Sequence, residues 1–275
     1  MMRVSYVGGI AILFMLSFFL SAGSVVADWH GGKALVLYRE DGDGWVQYNY
    51  KNDSFLVKWE EFRKEFAEQG WTVEFAKHVN ASLLSNYDAL FVLTPCQNIS
   101  NDEAQAIIDW VKSGGQLVIT QNGTGTYANN ITAEFGIEFG SYKLLSIINE
   151  FEDHPITEGL SEVNGTIRIG TIGFTAREIK VSGSSREIGW YKGLLGSKYC
   201  LLAVNDTAGE GVVVAIGDEW MWSNLCFNLA DNEELLDNIL AYFKRTCSVP
   251  EFSTPTFLIP VFLLAVLFLF FRRKG

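Results

Sequence analysis

Four short apolar runs mark the first half of the chain: residues 33–38 (KALVLY), Trp71–Ala76, 89–93 (ALFVL) and Gln116–Thr120 (QLVIT). Stretches of helical period separate them. Apolar runs of this length, without polar alternation, read as strands buried on both faces, the pattern of a parallel sheet covered by helices. Between 54 and 69, Phe55, Trp59, Phe62 and Phe66 recur at helical spacing. Ahead of the fourth run, Ser100-Asn-Asp-Glu103 has the form of a capping box, Ile107, Ile108 and Val111 make an apolar stripe, and Gly114-Gly115 ends the helix. The expected class is therefore α/β, a mostly parallel sheet with helices on both faces. The second half is strand-rich, with strands expected at 143–148, 166–171, 178–181, 187–191, 199–204 and 211–217 and a hairpin turn at 206–209. A last helix is expected at 232–244, with Leu235, Leu236, Ile239, Leu240 and Phe243 on one stripe.

The ends read as addresses. Residues 1–27 have the order of a secretory signal peptide: Arg3, an apolar stretch, and Val25-Val26-Ala27 as a small-residue cleavage site. Residues 28–247 form the domain, 248–256 a linker, 257–271 an apolar membrane helix, and 272–275 a basic tail whose cations keep it in the cytoplasm. This places the body outside the cell, anchored at its C-terminus. Seven N-x-[ST] sequons, at Asn52, Asn80, Asn98, Asn122, Asn130, Asn164 and Asn205, agree with export and a glycosylated surface. The net charge is −11, and every acidic residue lies between the two apolar ends. A surface that acidic repels polyanions, so nucleic acid is excluded as a partner. The four cysteines, 96, 200, 226 and 247, contain no C-x-x-C pair. Of the three possible pairings, the expected one joins Cys96 to Cys226, which both follow strands of the sheet near its carboxyl edge.

Two segments resemble known families. Pro250-Glu251-Phe252, the apolar helix and the terminal Arg272-Arg273-Lys274 resemble the PEF-type C-terminal sorting signals of archaeal surface proteins. That resemblance implies an archaeosortase-type processing enzyme as a partner and transfer to a lipid anchor. In the body, Tyr87-Asp-Ala-Leu-Phe-Val-Leu93, the capped helix ending in Gly-Gly, Gln116-Leu-Val-Ile119, Asp153-His-Pro-Ile-Thr-Glu-Gly159 and 209–218 followed by Trp222-Ser-Asn224 resemble the class I glutamine amidotransferase-like, flavodoxin-related fold. The resemblance is to its non-catalytic members of the gliding and intraflagellar-transport type. It implies an archaeal, flavodoxin-like domain without a nucleophile, since the turn after the fourth strand reads Thr120-Gln-Asn-Gly123 and holds no cysteine.

A ligand in an open parallel sheet sits at the carboxyl ends of the strands. There the sequence offers Asp41 and Asp43 after the first strand, Gln97 after the third, Gln121 after the fourth, and Asp218, Glu219, Trp220 and Trp222 after the last. Carboxylates beside indoles suit a sugar. Asp41-Gly-Asp43-Gly lacks the third ligand and distal glutamate of a calcium loop and reads as an acidic turn, so no metal and no cofactor is expected. The two tryptophans read more readily as packing than as a platform. No catalytic residue is assigned. The expected function is binding of a glycan or surface-protein ligand. A rival is a carbohydrate hydrolase or lyase using Asp218 or Glu219 with Asp41 or Asp43, and a third reading is a structural envelope component.

Overall fold

The computed structural model describes residues 31–37, 59–95, 99–122, 125–165, 168–169, 172–173 and 176–247. The expected signal peptide, the whole of 248–275 with Pro250, Glu251 and Phe252, and the residues Asp41, Asp43, Asn52, Cys96, Gln97 and Asn98 lie outside the described residues. Among the described residues no helix is long and apolar enough to cross a membrane.

The strands are β1 (Gly32–Leu37), β2 (Trp71–Ala76), β3 (Ala89–Val92), β4 (Gln116–Thr120), β5 (Ile137–Lys143), β6 (Ile147–Ile148), β7 (Glu150–Phe151), β8 (Val163–Asn164), β9 (Arg168–Ile169), β10 (Ile172–Gly173), β11 (Ala176–Val181), β12 (Arg186–Lys192), β13 (Lys198–Ala208) and β14 (Gly211–Ile216). The helices are α1 (Glu60–Glu68), α2 (Ala81–Leu84), α3 (Asn101–Lys112), α4 (Asn129–Thr132) and α5 (Asn232–Cys247). The main sheet runs β2-β1-β3-β4-β14-β13-β11-β5, with β12 and β7 branching from β13. The first five are mutually parallel and every later pairing in this sheet is antiparallel. The sheet is thus mixed rather than mostly parallel, because the strand-rich second half extends it by hairpins.

Helices cover both faces of the parallel half, as the unbroken apolar runs require. Leu35, Leu37, Leu90, Val92, Leu117, Ile119, Val213 and Ala215 point one way, onto Ile107, Ile108 and Val111 of α3. Phe91 points the other way and meets Phe62 and Phe66 of α1 edge-on at 6.0 and 5.0 Å. Helix α5 packs against α1 on that side, with Leu236, Ile239, Leu240 and Phe243 fully buried. The capping residues meet as expected: Ser100 Oγ accepts the Glu103 N–H at 3.3 Å and donates to Glu103 Oε2 at 2.7 Å, while Glu103 Oε1 accepts the Val79 N–H at 3.4 Å.

Several expected boundaries move. The helix expected from 54 begins at Glu60, with buried Trp59 as its N-cap. The strand expected at 143–148 lies earlier, over Ile137–Lys143, where Ile137 and Phe139 alternate into the core. The hairpin expected at 206–209 turns at Gly209-Glu210 instead. β13 absorbs its polar residues through a bulge between Asn205 and Ala208, and Gly209 takes the positive φ of 78° that the tight turn needs.

Candidate functional site

Strands β3, β4 and β14 stop at one level, with Val92 opposite Ile119 and Ile216 opposite Thr120. The residues that follow meet at this carboxyl edge. Asp218 is 1% exposed and Glu219 is fully buried. One amide ties them together: Asn122 Nδ2 donates to Asp218 Oδ1 at 3.1 Å and to Glu219 Oε1 at 2.9 Å. The Trp220 N–H also reaches Asp218 Oδ1 at 3.1 Å. Glu219 Oε2 takes a short bond from the Thr94 hydroxyl.

Thr94 is held in the left-handed region at φ 42°, a conformation a β-branched residue rarely adopts. Its N–H and hydroxyl both meet Thr120 Oγ1, at 2.9 and 3.1 Å, so the strained turn is fastened from two sides. Beneath the pair lies Gly165. A Cβ there would stand 2.6 Å from Asp218 Oδ2 and 2.8 Å from Ser146 Oγ, so only glycine admits that carboxylate. Thr94, Thr120, Ser146 and Gly165 were not legible as site residues, since they come from three loops and a strand end far apart in sequence.

Burial dominates the electrostatics. It pushes the Asp218 carboxyl up to about 6, against the bonds from Ser146, Asn122 and backbone N–H groups that favour its ionised form. Burial, and then the neighbouring Asp218 charge, holds Glu219 well above the usual carboxylate range. Two adjoining carboxyls with little water cannot both ionise cheaply, so the pair gives up its last proton well above the usual carboxylate range. Such a pair has the protonation states that acid–base chemistry uses, but both members are sealed.

The other expected ligand residues are committed to structure. Gln121, 1% exposed, donates to the Pro95 and Asn122 carbonyls at 3.2 and 3.0 Å and accepts the Ala128 N–H at 3.0 Å, bracing the loop after β4. Trp220 is 4% exposed. Trp222 stacks on Phe62 at 5.6 Å within the aromatic core, so it is packing and not a sugar platform. Cys226 is a free, buried thiol pushed up to about 12 by burial, which makes it inert, and its expected partner Cys96 lies outside the described residues. His154 caps a turn, its Nδ1 accepting the Ile156 N–H at 3.1 Å. Among the sequons, Asn80 is exposed as a helix cap, and Asn130, also exposed, donates to the Ile99 carbonyl at 2.7 Å. Asn164 is half-buried. Asn122 spends its amide on the carboxyl pair, and Asn205 is 4% exposed with its amide bonded to the Phe135 carbonyl at 2.8 Å. A glycan on either of the last two has to displace a structural hydrogen bond.

A groove of about 410 Å³ opens at the opposite, amino edge of the sheet, between Lys112, Glu134 and Phe135 on one side and Ser182 to Ser184 and Thr207 on the other. No member of the carboxyl pair lines it. Among the described residues no three His, Cys, Asp or Glu side chains gather as a metal site.

The family model described as "Domain of unknown function (DUF4350)" matches residues 59–240. No curated protein matches the chain. Among solved structures, the mmIFT52 N-terminal domain is similar at TM-score 0.59 and 12% identity, over 77% of this chain and 96% of that one. Cytoplasmic protein STM1381 from Salmonella typhimurium LT2 is similar at TM-score 0.52 and 16% identity, over 77% and 99%. A β-galactosidase from Rahnella sp. R3 is similar at TM-score 0.50 and 14% identity, over 78% of this chain but only 31% of that longer one. At such identities the likeness is one of fold alone. These findings overturn the expected membership in the glutamine amidotransferase-like group with a PEF-type, archaeosortase-processed signal: the matching family is a different one. The motifs behind that expectation, a capped helix, a Gly-Gly stop and an apolar strand, are what any strand–helix–strand unit needs, so they carry no family information.

Proposed function

This chain belongs to the DUF4350 family, and we propose that it is an exported, membrane-tethered domain that binds a ligand or protein partner outside the cell and performs no chemistry of its own. The observation that carries this reading is the sealing of Asp218 and Glu219 at 1% and 0% exposure, with the amides and hydroxyls around them spent on one another. A general acid or base has to come within hydrogen-bond reach of its substrate. Export rests on residues 1–27, and tethering on 257–271. The order of the five parallel strands is that of a flavodoxin-like sheet, in which ligands approach where the order reverses, here between β1 and β3. The residues that follow those strands in the chain, Asp41, Asp43 and Gln97 among them, remain the candidates for contact.

A second reading has one observation in its favour. The raised pKa values of Asp218 and Glu219 are those of an acid–base pair, as a carbohydrate hydrolase or lyase requires. A glycan-array screen of the purified protein, paired with hydrolysis assays on the glycans that bind, separates the two. Binding that survives in Asp218→Asn and Glu219→Gln without turnover supports the binding domain. Turnover abolished by both substitutions supports the enzyme.

A further inference from the structure

The hairpin joining β12 to β13 ends in a feature that the binding reading leaves unused. Its tip, Gly193-Leu-Leu-Gly196-Ser197, is closed by the Gly193 N–H to the Ser197 carbonyl at 2.8 Å and the Gly196 N–H to the Gly193 carbonyl at 3.0 Å. Gly196 takes a φ of 82°. Leu194 and Leu195 therefore occupy the two centre positions of a tight turn, where neither side chain can fold back onto the protein, and both are fully exposed at 106% and 101%. Polar residues and glycine normally fill such positions. Leu144, 73% exposed, adjoins the Leu145 carbonyl that accepts the Tyr199 hydroxyl at 3.1 Å, so it stands on the flank of the same hairpin.

The base of the tip has a distinct chemistry. Lys192 and Lys198 flank the leucines, and Glu150 holds them at 2.7 and 2.5 Å. Behind them Tyr191 stacks on Tyr199 at 4.9 Å, and Lys198 Nζ lies 4.3 Å from the Trp190 ring centre. Apolar side chains at the tip with lysines and amphipathic rings at its base are the residue types that a lipid interface selects. Three leucines offer far less area than the roughly 800 Å² per partner of a stable protein interface, and a protruding tip needs a matching pocket that a bilayer does not. Lys192 and Lys198 share the one carboxylate of Glu150, so the base of the tip keeps a single positive charge in a chain of net charge −11, and that charge faces the anionic headgroups.

We propose that the β12–β13 hairpin is a second membrane contact, inserting Leu194 and Leu195 into the interface of an anionic bilayer. The proposal rests on the tethered reading above. β13 runs past Ile216, the last residue of β14, so the tip projects beyond the carboxyl edge. Helix α5 begins near that edge, where Asn232 bonds Asn164 and the Cys226 carbonyl, and ends toward the other, where Tyr242 packs on His154 beside Asp206.

The test places the full chain in phosphatidylcholine nanodiscs with and without phosphatidylglycerol and follows hydrogen exchange of amides 193–197. In anionic discs these amides exchange about tenfold more slowly in the wild type than in Leu194→Ser/Leu195→Ser, and the difference shrinks in zwitterionic discs. Equal exchange in the two proteins, both held in the discs, overturns the proposal and leaves the tether standing. A chain that stays out of the discs refutes the tether. Flotation of that chain with vesicles of the same lipids then reads the tip alone, and equal flotation of wild type and double variant overturns the proposal. A concentration-dependent dimer lost in the double variant, with no lipid protection, overturns it in favour of a second copy.

Discussion

Replacing Asp218 by Asn removes a charge without removing a shape. The amide oxygen keeps the place of Oδ1, where the Asn122 amide and the Trp220 N–H arrive at 3.1 Å each, and the new NH₂ group faces the Ser146 side. In the wild type, burial raises this carboxyl from 3.8 to about 6. At 1.36 kcal/mol per pKa unit, ionising it in the folded protein costs on the order of 3 kcal/mol. Because the folded pKa lies above the unfolded one, the associated stability is complete below about pH 4 and is lost as the pH rises through about 6. The variant cannot ionise there. Its stability relative to wild type should therefore rise by roughly 3 kcal/mol between pH 4 and pH 8, which for a domain of this size is about 6 to 12 °C in Tm. Urea unfolding at closely spaced pH values, with both proteins in the same buffers, reads this difference together with the release of Glu219 from the Asp218 charge, which adds in the same direction. A difference constant from pH 4 to pH 8 refutes the argument, because it means that Asp218 ionises in the fold as easily as in water.

Three further outcomes follow from the same geometry. Thr94→Val keeps the shape but leaves Glu219 Oε2 without its hydroxyl partner, so it should cost about 1 to 3 kcal/mol by urea unfolding, while Thr94→Ser stays within about 1 kcal/mol of wild type. Gly165→Ala forces a methyl group to 2.6 Å from Asp218 Oδ2 and should destabilise by about 1 to 3 kcal/mol, with a denaturant slope unchanged from wild type. Asp237 on α5 is pushed up to about 8 by burial and then by a hydrogen bond and the charge of Glu65 on α1, so its contribution is lost as the pH rises through about 8. Asp237→Asn should accordingly raise Tm at pH 9 and leave it unchanged at pH 4, as a thermal melt at the two pH values would show.

What the sequence disclosed depended on how far apart the cooperating residues stand. β1, β3, β4 and β14 were readable because strands buried on both faces must be apolar at nearly every position, and no local feature competes with that demand. β5 was missed because Gly140 and Ser141 interrupt the alternation that Ile137 and Phe139 begin. In β13, Asn205-Asp-Thr207 looks like a turn, yet Asn205 reaches across to the Phe135 carbonyl and the strand bulges to carry it on to Ala208. Asp218 and Glu219 stand at the carboxyl edge because they follow the last parallel strand, a position that the sequence alone displays. Their character was hidden: Thr94, Ser146 and Gly165, which make them a closed and proton-holding pair, approach from loops that only the fold assembles. Glu65 carried a readable signal, a lone acid beside Phe62 and Phe66 on the buried face of α1.

The most direct test is a carboxyl-carbon NMR titration of the protein labelled at Asp and Glu, with Asp218→Asn and Glu219→Gln assigning the two signals. A sealed pair that braces the sheet edge predicts that Glu219 titrates well above the usual carboxylate range, that Asp218 titrates near 6, and that neither signal responds to added glycan. Two carboxyls that ionise near pH 4, or a signal that moves on adding a glycan, would contradict the sealed pair and hand this edge of the sheet to a substrate.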